Sequence, residues 1–411
     1  MAIPFAAFIY SIFTFKNKSS QIIIILFIAL FGYNMVAESN EMDLYRYHLI
    51  LEQYNSSSFP EVVSDFFTSV TASQGKTLEA NTSEVDVYVG LVCVLLSPVT
   101  NNGHVLMGCF GLIYGLAMVA VMRQFLASQL DEDLYSIIII FCASFAIPLY
   151  TLAGVRYGTA TFFFIWGIIL NLKNDNYKSW ILILISCLTH FAFVLPAFIF
   201  LLYSVLLKKE HPFRNILYIL YLSSFFLPNL LSLHISDILP FLGNSVNERV
   251  AAYNDPDSIE AISNAYFKDA TWFMKYQNDL VYWISYIGIV LFKTPLFKLS
   301  FSQKIEKVFY WTILFMTLVN FSISIPDLGI RLKLVSFIFF FYYLSCVYNE
   351  NRSNKTLKCF IVLTLLFSLL KIIVETRMII EYTTAVLFFG NIYYIITDNS
   401  EISLWTLIKN R

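Results

Sequence analysis

Twelve apolar runs govern what this chain can become. They lie near 2–15, 21–37, 104–125, 134–153, 157–172, 179–207, 214–233, 279–297, 308–325, 331–348, 359–374 and 378–397. A spanning helix needs about 20 predominantly apolar residues, and many of these runs reach or approach that length. In hydrocarbon a backbone must satisfy its own hydrogen bonds, which a helix does within one segment. Composition agrees. Hydrophobic residues make up 58% of the chain, charged residues 13%, and mean hydropathy is +0.68. Soluble domains sit near half apolar and a quarter charged. The expected fold is all-α: a polytopic transmembrane helical bundle of about 11–13 spans, forming one integral membrane domain over residues 1–411.

Two long polar insertions interrupt the runs, near 38–85 and 234–278. Lysine and arginine in short loops set orientation. Placing "FKNKSS", Arg123, Lys173, Lys178, "LLKKEHPFR", "FKTPLFKLSFSQKIEK", "NRSNKTLK" and "IKNR" in the cytoplasm gathers 17 of the 27 basic residues there. Both insertions then become large outer loops, and 19 of the 28 carboxylates fall outside. Two places keep this bias only with irregular structure. Residues 86–98 are read as an interfacial or re-entrant helix on the outer side, because a full span would flip Arg123 outward. Residues 179–207 are read as two short arms turning near "THFAFVLP", because one span would put Lys208, Lys209 and Arg214 outside. Broken helices in membranes face protein or a wet cavity, which makes His190 a candidate cavity residue.

Several chemistries lack their signatures. No zinc spacing, Walker loop, GxGxxG or GxSxG occurs. The six cysteines lie in or beside apolar segments without a CxxC pair and read as packing residues. The N-terminal "MAIPFAAFIYSIFTF" has no basic region before its apolar run, so it reads as a retained short span.

What remains is a set of polar residues on the outer side. Arg156 sits in "LAGVRYGTATFF" at the junction of two spans, and Arg331 follows "IPDLGI" at the start of another. Asp43, Arg46 and Tyr47 fall in "DLYRY" on the first outer loop, Arg249 and Tyr253 in "ERVAAY" on the second. Intramembrane arginines cost enough to insert that they tend to face cavities and work. Their planar fork suits phosphate. Plainer readings stand beside this one. Arg156 can anchor a helix end, and Asp327 and Arg331 can pair along a helix. Lys371–Glu375 and Arg377–Glu381, near the outer end of the last two runs, have the same spacing. His190 can be a buried, hydrogen-bonded histidine. Asn320 and Asn391 read as interhelical hydrogen-bonding groups.

The stretches "DLYRY", "GVRYGTATFFFIWGIILNLKNDNYKSWILILISCLTHFAFVLP" and "LGIRLKLVSFIFFFYYL" resemble the bacterial polysaccharide polymerases of the Wzy/EpsG type over roughly residues 30–350. Gly154, Arg156 and Ala160 match a G-x-R-x-x-x-A motif opening an apolar helix, in which Gly154 and Ala160 would let neighbours approach closely, and His190 matches the mid-run histidine. Many relatives carry Gln after the arginine, where this chain has Tyr157. The resemblance implies a glycosyltransferase of GT-C-like, metal-independent kind in the bacterial cytoplasmic membrane. It would join oligosaccharide repeat units carried on undecaprenyl diphosphate, on the outer side, for O-antigen, capsule or exopolysaccharide. Its expected partners are that lipid-linked oligosaccharide, membrane lipids, a flippase and a chain-length regulator, with no nucleic acid, cofactor or metal. Arg156, Arg331 and Arg249, with Arg46, Tyr47 and Tyr253, would hold diphosphate and sugar. His190 or Asp43 would serve as the base. A lipid-linked oligosaccharide flippase predicts inverted repeats, and none is evident. An O-antigen ligase uses similar parts. A membrane O-acyltransferase needs a cytoplasmic donor site.

Overall fold

The computed structural model describes residues 3–36, 43–71, 87–126, 133–174, 176–207, 214–227, 271–323, 326–397 and 402–409, and these are helical with no strand. In chain order the α-helices are α1 Pro4–Phe13, α2 Lys18–Tyr33, α3 Asp43–Ser56, α4 Phe59–Thr71, α5 Val87–Leu96, α6 Gly103–Leu126, α7 Leu134–Ser144, α8 Val155–Asn174 and α9 Lys178–Thr189. Then come α10 Val194–Leu202, α11 Arg214–Ser224, α12 Trp272–Phe292, α13 Gln303–Ser322, α14 Pro326–Glu350, α15 Lys355–Glu381, α16 Ala385–Phe389, α17 Ile392–Thr397 and α18 Leu404–Lys409. Among the described residues four segments are long and apolar enough to cross a membrane: Gly103–Leu126, Leu149–Asn174, Leu328–Glu350 and Lys355–Glu381. Shorter apolar helices, among them α1, α2, α5, α7 and α9, fill the bundle around them.

Helix α14 is the axis. Of its apolar stretch 89% is buried, against 39% for α15. Arg331 near its outer end is therefore presented from the middle of the bundle rather than its rim. Helices α2 and α6 pack backbone against backbone. A Cβ on Gly111 would stand 2.4 Å from the Ile28 carbonyl, and one on Gly32 2.3 Å from that of Met107. Gly111 and Gly115 form the small-xxx-small spacing that lets membrane helices approach this closely.

The bundle has two distinct ends. At one, Arg123 donates to Gln21 (2.6 Å), Lys173 to the Gln124 carbonyl (2.7 Å), Arg214 to Glu306 (2.9 Å), and Tyr348 to Asp133. This is where the short basic loops gather, the end that the positive-inside bias assigns to the cytoplasm. At the other end, Val36 bonds Tyr382 and Arg156 meets Asp43.

The 179–207 run folds back on itself. Trp180 at the start of α9 packs on Phe200 near the end of α10, with ring centroids 5.4 Å apart. The Tyr203 hydroxyl reaches the Lys307 carbonyl at the cytoplasmic end of α13, at 2.7 Å. Two arms turning at His190 are what the charge distribution required. Helix α5 likewise stays on the outer side. Its first turn lies beside Phe110 of α6, where Tyr88 makes a ring contact at 5.3 Å, and just past its end the Ser97 carbonyl accepts from Asn55.

The last two expected runs, 359–374 and 378–397, are partitioned differently. Helix α15 runs unbroken for 27 residues, and two short helices follow it. No Gly or Pro interrupts α15, and its charges pair four residues apart, Arg377–Glu381 at 3.2 Å and Lys371–Glu375 at 2.6 Å. The helix therefore carries them without breaking. Asn391 accepts from the Tyr394 amide at the start of α17, which makes it a helix cap. Asn320 does bridge helices, bonding Tyr282 of α12 and Ser224 of α11, both at 2.8 Å.

The hairpin makes a sidedness prediction. In a Cys359→Ser background, which removes the exposed native thiol, Tyr177→Cys and Asn215→Cys should react with an impermeant thiol reagent from the cytoplasmic side. Ser57→Cys should react only from the opposite side. Labelling of Asn215→Cys on the same side as Ser57→Cys would mean that 179–207 crosses the membrane once.

Candidate active site

Arg156 owes its place to a helix that stops early. Pro148 has no N–H to continue α7, and the chain turns at 145–148 into a 3-10 turn, Leu149–Gly154. The Thr151 amide and hydroxyl both bond the Pro148 carbonyl, at 3.0 and 2.6 Å, which closes that turn. Helix α8 starts at Val155, so Arg156 lies in its first turn.

From there the guanidinium Nη2 meets Asp43 Oδ2 at 3.2 Å. Asp43 opens α3, where a carboxylate suits the positive end of the helix dipole. Tyr47, one turn on, donates its hydroxyl to the same oxygen at 3.4 Å, and Arg46 stands 3.8 Å from the other. The three residues picked from "DLYRY" therefore meet at Asp43, and Asp43 is the one that reaches Arg156. The Arg156 and Asp43 side chains are 21% and 36% exposed. A pair this wet is worth about 0–1 kcal/mol. A dianion that reaches Arg156 therefore competes with a weakly held carboxylate.

Arg331 lies on the far side of Tyr157. The Tyr157 hydroxyl donates to the Arg331 carbonyl at 2.5 Å, and the guanidinium sits over the Tyr157 ring at 5.5 Å from its centroid. The ring also stacks on Phe193 (6.0 Å) and meets His190 edge-on (5.9 Å). Arg331 Nη1 reaches His190 Nε2 at 2.9 Å. His190 stands between α9 and α10, and its Nδ1 faces the Ala192 amide at 3.1 Å. Two N–H donors thus point at one ring. A neutral imidazole has a single acceptor nitrogen, so the guanidinium and the amide compete for it.

The two arginines lie at one level. Arg156 precedes Lys173, and Arg331 precedes Tyr348, by the same seventeen residues. At 1.5 Å per residue that is roughly 25 Å above the cytoplasmic end. Asp43, Arg46, Tyr47 and Arg156 thus form one group and His190, Tyr157 and Arg331 a second, and the two are linked through the neighbouring residues Arg156 and Tyr157. Arg249, Tyr253 and the side chain of Asp327 lie outside the described residues. Among the described residues no group of three or more His, Cys, Asp or Glu could hold a metal ion.

The model of the EpsG family matches residues 21–384. This chain belongs to the EpsG family. The match takes in both groups of residues and ends before α16. No curated protein and no solved structure matches the chain. An EpsG-family chain is a polysaccharide-polymerase-like, multi-pass membrane protein with a glycosyl-transfer role.

Sequence reasoning passed over Tyr157 except as a departure from relatives, although it touches Arg331, His190 and Phe193. Its one signal was adjacency to Arg156. The reasoning also misassigned a glycine. Gly154 was expected to admit a close neighbour, but a Cβ there would meet nothing within 4 Å. The tight contact is one turn later, where a Cβ on Gly158 would stand 2.6 Å from the Tyr114 ring and 3.1 Å from the Thr151 hydroxyl. Gly154→Ala should leave thermal stability in detergent unchanged or raise it by about 0.4–1 kcal/mol. Gly158→Ala should lower it by about 1–3 kcal/mol through overpacking. The reverse order would place the close contact at Gly154 after all.

Proposed function

We propose that this protein joins lipid-diphosphate-linked oligosaccharide repeat units at the outer face of the bacterial cytoplasmic membrane. Membership of the EpsG family supports undecaprenyl diphosphate as the donor's carrier. The observation that carries the proposal is two arginines at one membrane level, on facing helices, with a histidine and a carboxylate beside them. In the transfer, the bond between the donor's anomeric carbon and its diphosphate oxygen breaks, and the diphosphate keeps the electron pair. A bond from that carbon to an acceptor hydroxyl forms, and the hydroxyl proton passes to a base.

Arg156 and Arg331 take the charge that builds on the leaving diphosphate. Preorganised donors at such a position are worth about 10²–10³ in rate each. We assign His190 as the base and Asp43 as the group that aims Arg156. The 2.9 Å contact supports an order of events. A diphosphate that draws Arg331 towards itself frees His190 Nε2, so the base becomes available when a donor is bound. General-base help of this kind is worth roughly 10²–10⁴-fold. We assign Arg46 and Tyr47 to the sugar hydroxyls that follow the diphosphate, with Arg249 and Tyr253 on the second loop.

The test is a chromosomal replacement in the source organism. Arg156→Ala and Arg331→Ala should abolish polymer while single repeat units are still made and exported. Protein should remain at wild-type level, since the Arg156–Asp43 pair contributes at most about 1 kcal/mol. Arg156→Lys should recover only part of the activity, because an ammonium lacks the planar fork. Normal polymer from Arg156→Ala, with protein present, ends the role given to Arg156. Repeat units retained on the inner side would indicate a flippase.

A further inference from the structure

The buried pair Lys371–Glu375 lies outside the arginine cluster, yet it touches the segment that delivers Arg156. The Lys371 ammonium has three N–H groups, and each has an acceptor. Two are the carbonyls of Phe145 and Ala146, both at 3.1 Å, and the third is Glu375 Oε2 at 2.6 Å. Lys371 is 2% exposed and Glu375 3%, and Glu375 Oε1 has no hydrogen-bond partner. The two carbonyls belong to the end of α7, where Pro148 cuts off the N–H groups a continuing helix would offer. A cation there also meets the negative end of the α7 dipole.

We infer that Lys371 is a positioning residue for Arg156: its ammonium fixes the end of α7, and through the Leu149–Gly154 turn it sets where α8 begins. This rests on the reading that Arg156 holds the donor diphosphate. The segment is tied at three successive points. Lys371 holds 145–146, Thr151 closes on Pro148, and Arg156 ends on Asp43. Ion pairing alone gives no reason for charges at this depth. A buried pair is often no more stabilising than two apolar side chains of similar volume. The carbonyls supply the reason, because an apolar pair leaves them without a donor in hydrocarbon.

The test separates position from both stability and activity. In full-length protein carrying Asp43→Cys, Arg156→Cys and Cys359→Ser, a short bifunctional thiol reagent should join α3 to α8. Adding Lys371→Met with Glu375→Leu should cut the cross-link at temperatures where the protein is still folded, with a thermal midpoint lowered by the two carbonyls left without a donor. In the protein with native Asp43 and Arg156, the same two changes should lower polymer formation roughly 10²-fold, as a displacement of about 1 Å does. Glu375→Gln leaves the Lys371 nitrogen, charged or neutral, at least two N–H groups for its two carbonyls, so it should preserve cross-link and polymer alike, at a lower thermal midpoint. An unchanged cross-link and polymer yield in the apolar pair overturns the inference. So does a cross-link lost equally in Glu375→Gln, and that arm decides alone should the Lys371 variants not accumulate. The cross-link does not depend on turnover. If it needs Lys371 while Arg156→Ala still makes polymer, the positioning stands and the proposed function falls.

Discussion

A backbone carbonyl inside a bilayer has no water to turn to, and every irregularity in this fold must answer to that. A helix that ends in hydrocarbon leaves carbonyls or amides bare at a cost of several kcal/mol each. Two helix ends inside this bundle are met by side chains. At the end of α7 the donor is the Lys371 ammonium. At the end of α9 the His190 amide returns to Ser186 at 2.9 Å, and the imidazole faces the next exposed amide, that of Ala192. Both repairs are polar, and both lie near the arginines. The site is assembled where the helices are interrupted, because only an interruption lets a side chain leave the regular lipid-facing or core-facing pattern.

Tyr157 shows how such a site stays in register. Its neighbours in sequence and in space belong to different elements: Arg156 on its own helix, Arg331 on α14, His190 and Phe193 in the break of the hairpin. A hydroxyl bonded to a main-chain carbonyl fixes the distance between α8 and α14. The ring face then offers Arg331 a surface that attracts a cation without neutralising it, worth about 0.5–2 kcal/mol. A carboxylate at that position would bind Arg331 more firmly and would compete with any phosphate. An aromatic ring orients the guanidinium and leaves its charge for a ligand.

The helical class and the folding back of 179–207 were legible in the sequence because both follow from hydropathy and the sides on which lysines and arginines fall. Those signals are additive along the chain and need no knowledge of neighbours. Asp43, Arg156, His190 and Arg331 were legible as a list of polar residues, with the family resemblance giving them an order; that they pair as Asp43–Arg156 and His190–Arg331 was not. The roles of Gly158 and Lys371 were not legible. Whether a glycine is needed depends on what faces it: Gly158 meets a Tyr114 ring from α6, and Gly154 meets nothing. Lys371 looked like half of a surface pair because its spacing to Glu375 is the ordinary helical one. Its acceptors at Phe145 and Ala146 are more than two hundred residues away in sequence and carry no side-chain signature at all.

Burial separates the two ion pairs of α15 in a way their spacing does not. Arg377 and Glu381 are 45% and 25% exposed, so solvent screens them and their loss changes little. Lys371 and Glu375 are 3% and 4% exposed in their side chains. For them, removing one partner leaves a charge in hydrocarbon, and removing both leaves two main-chain carbonyls without a donor. The inner pair can be replaced only by also rebuilding the stop at Pro148, and that stop is what places an arginine at the head of α8.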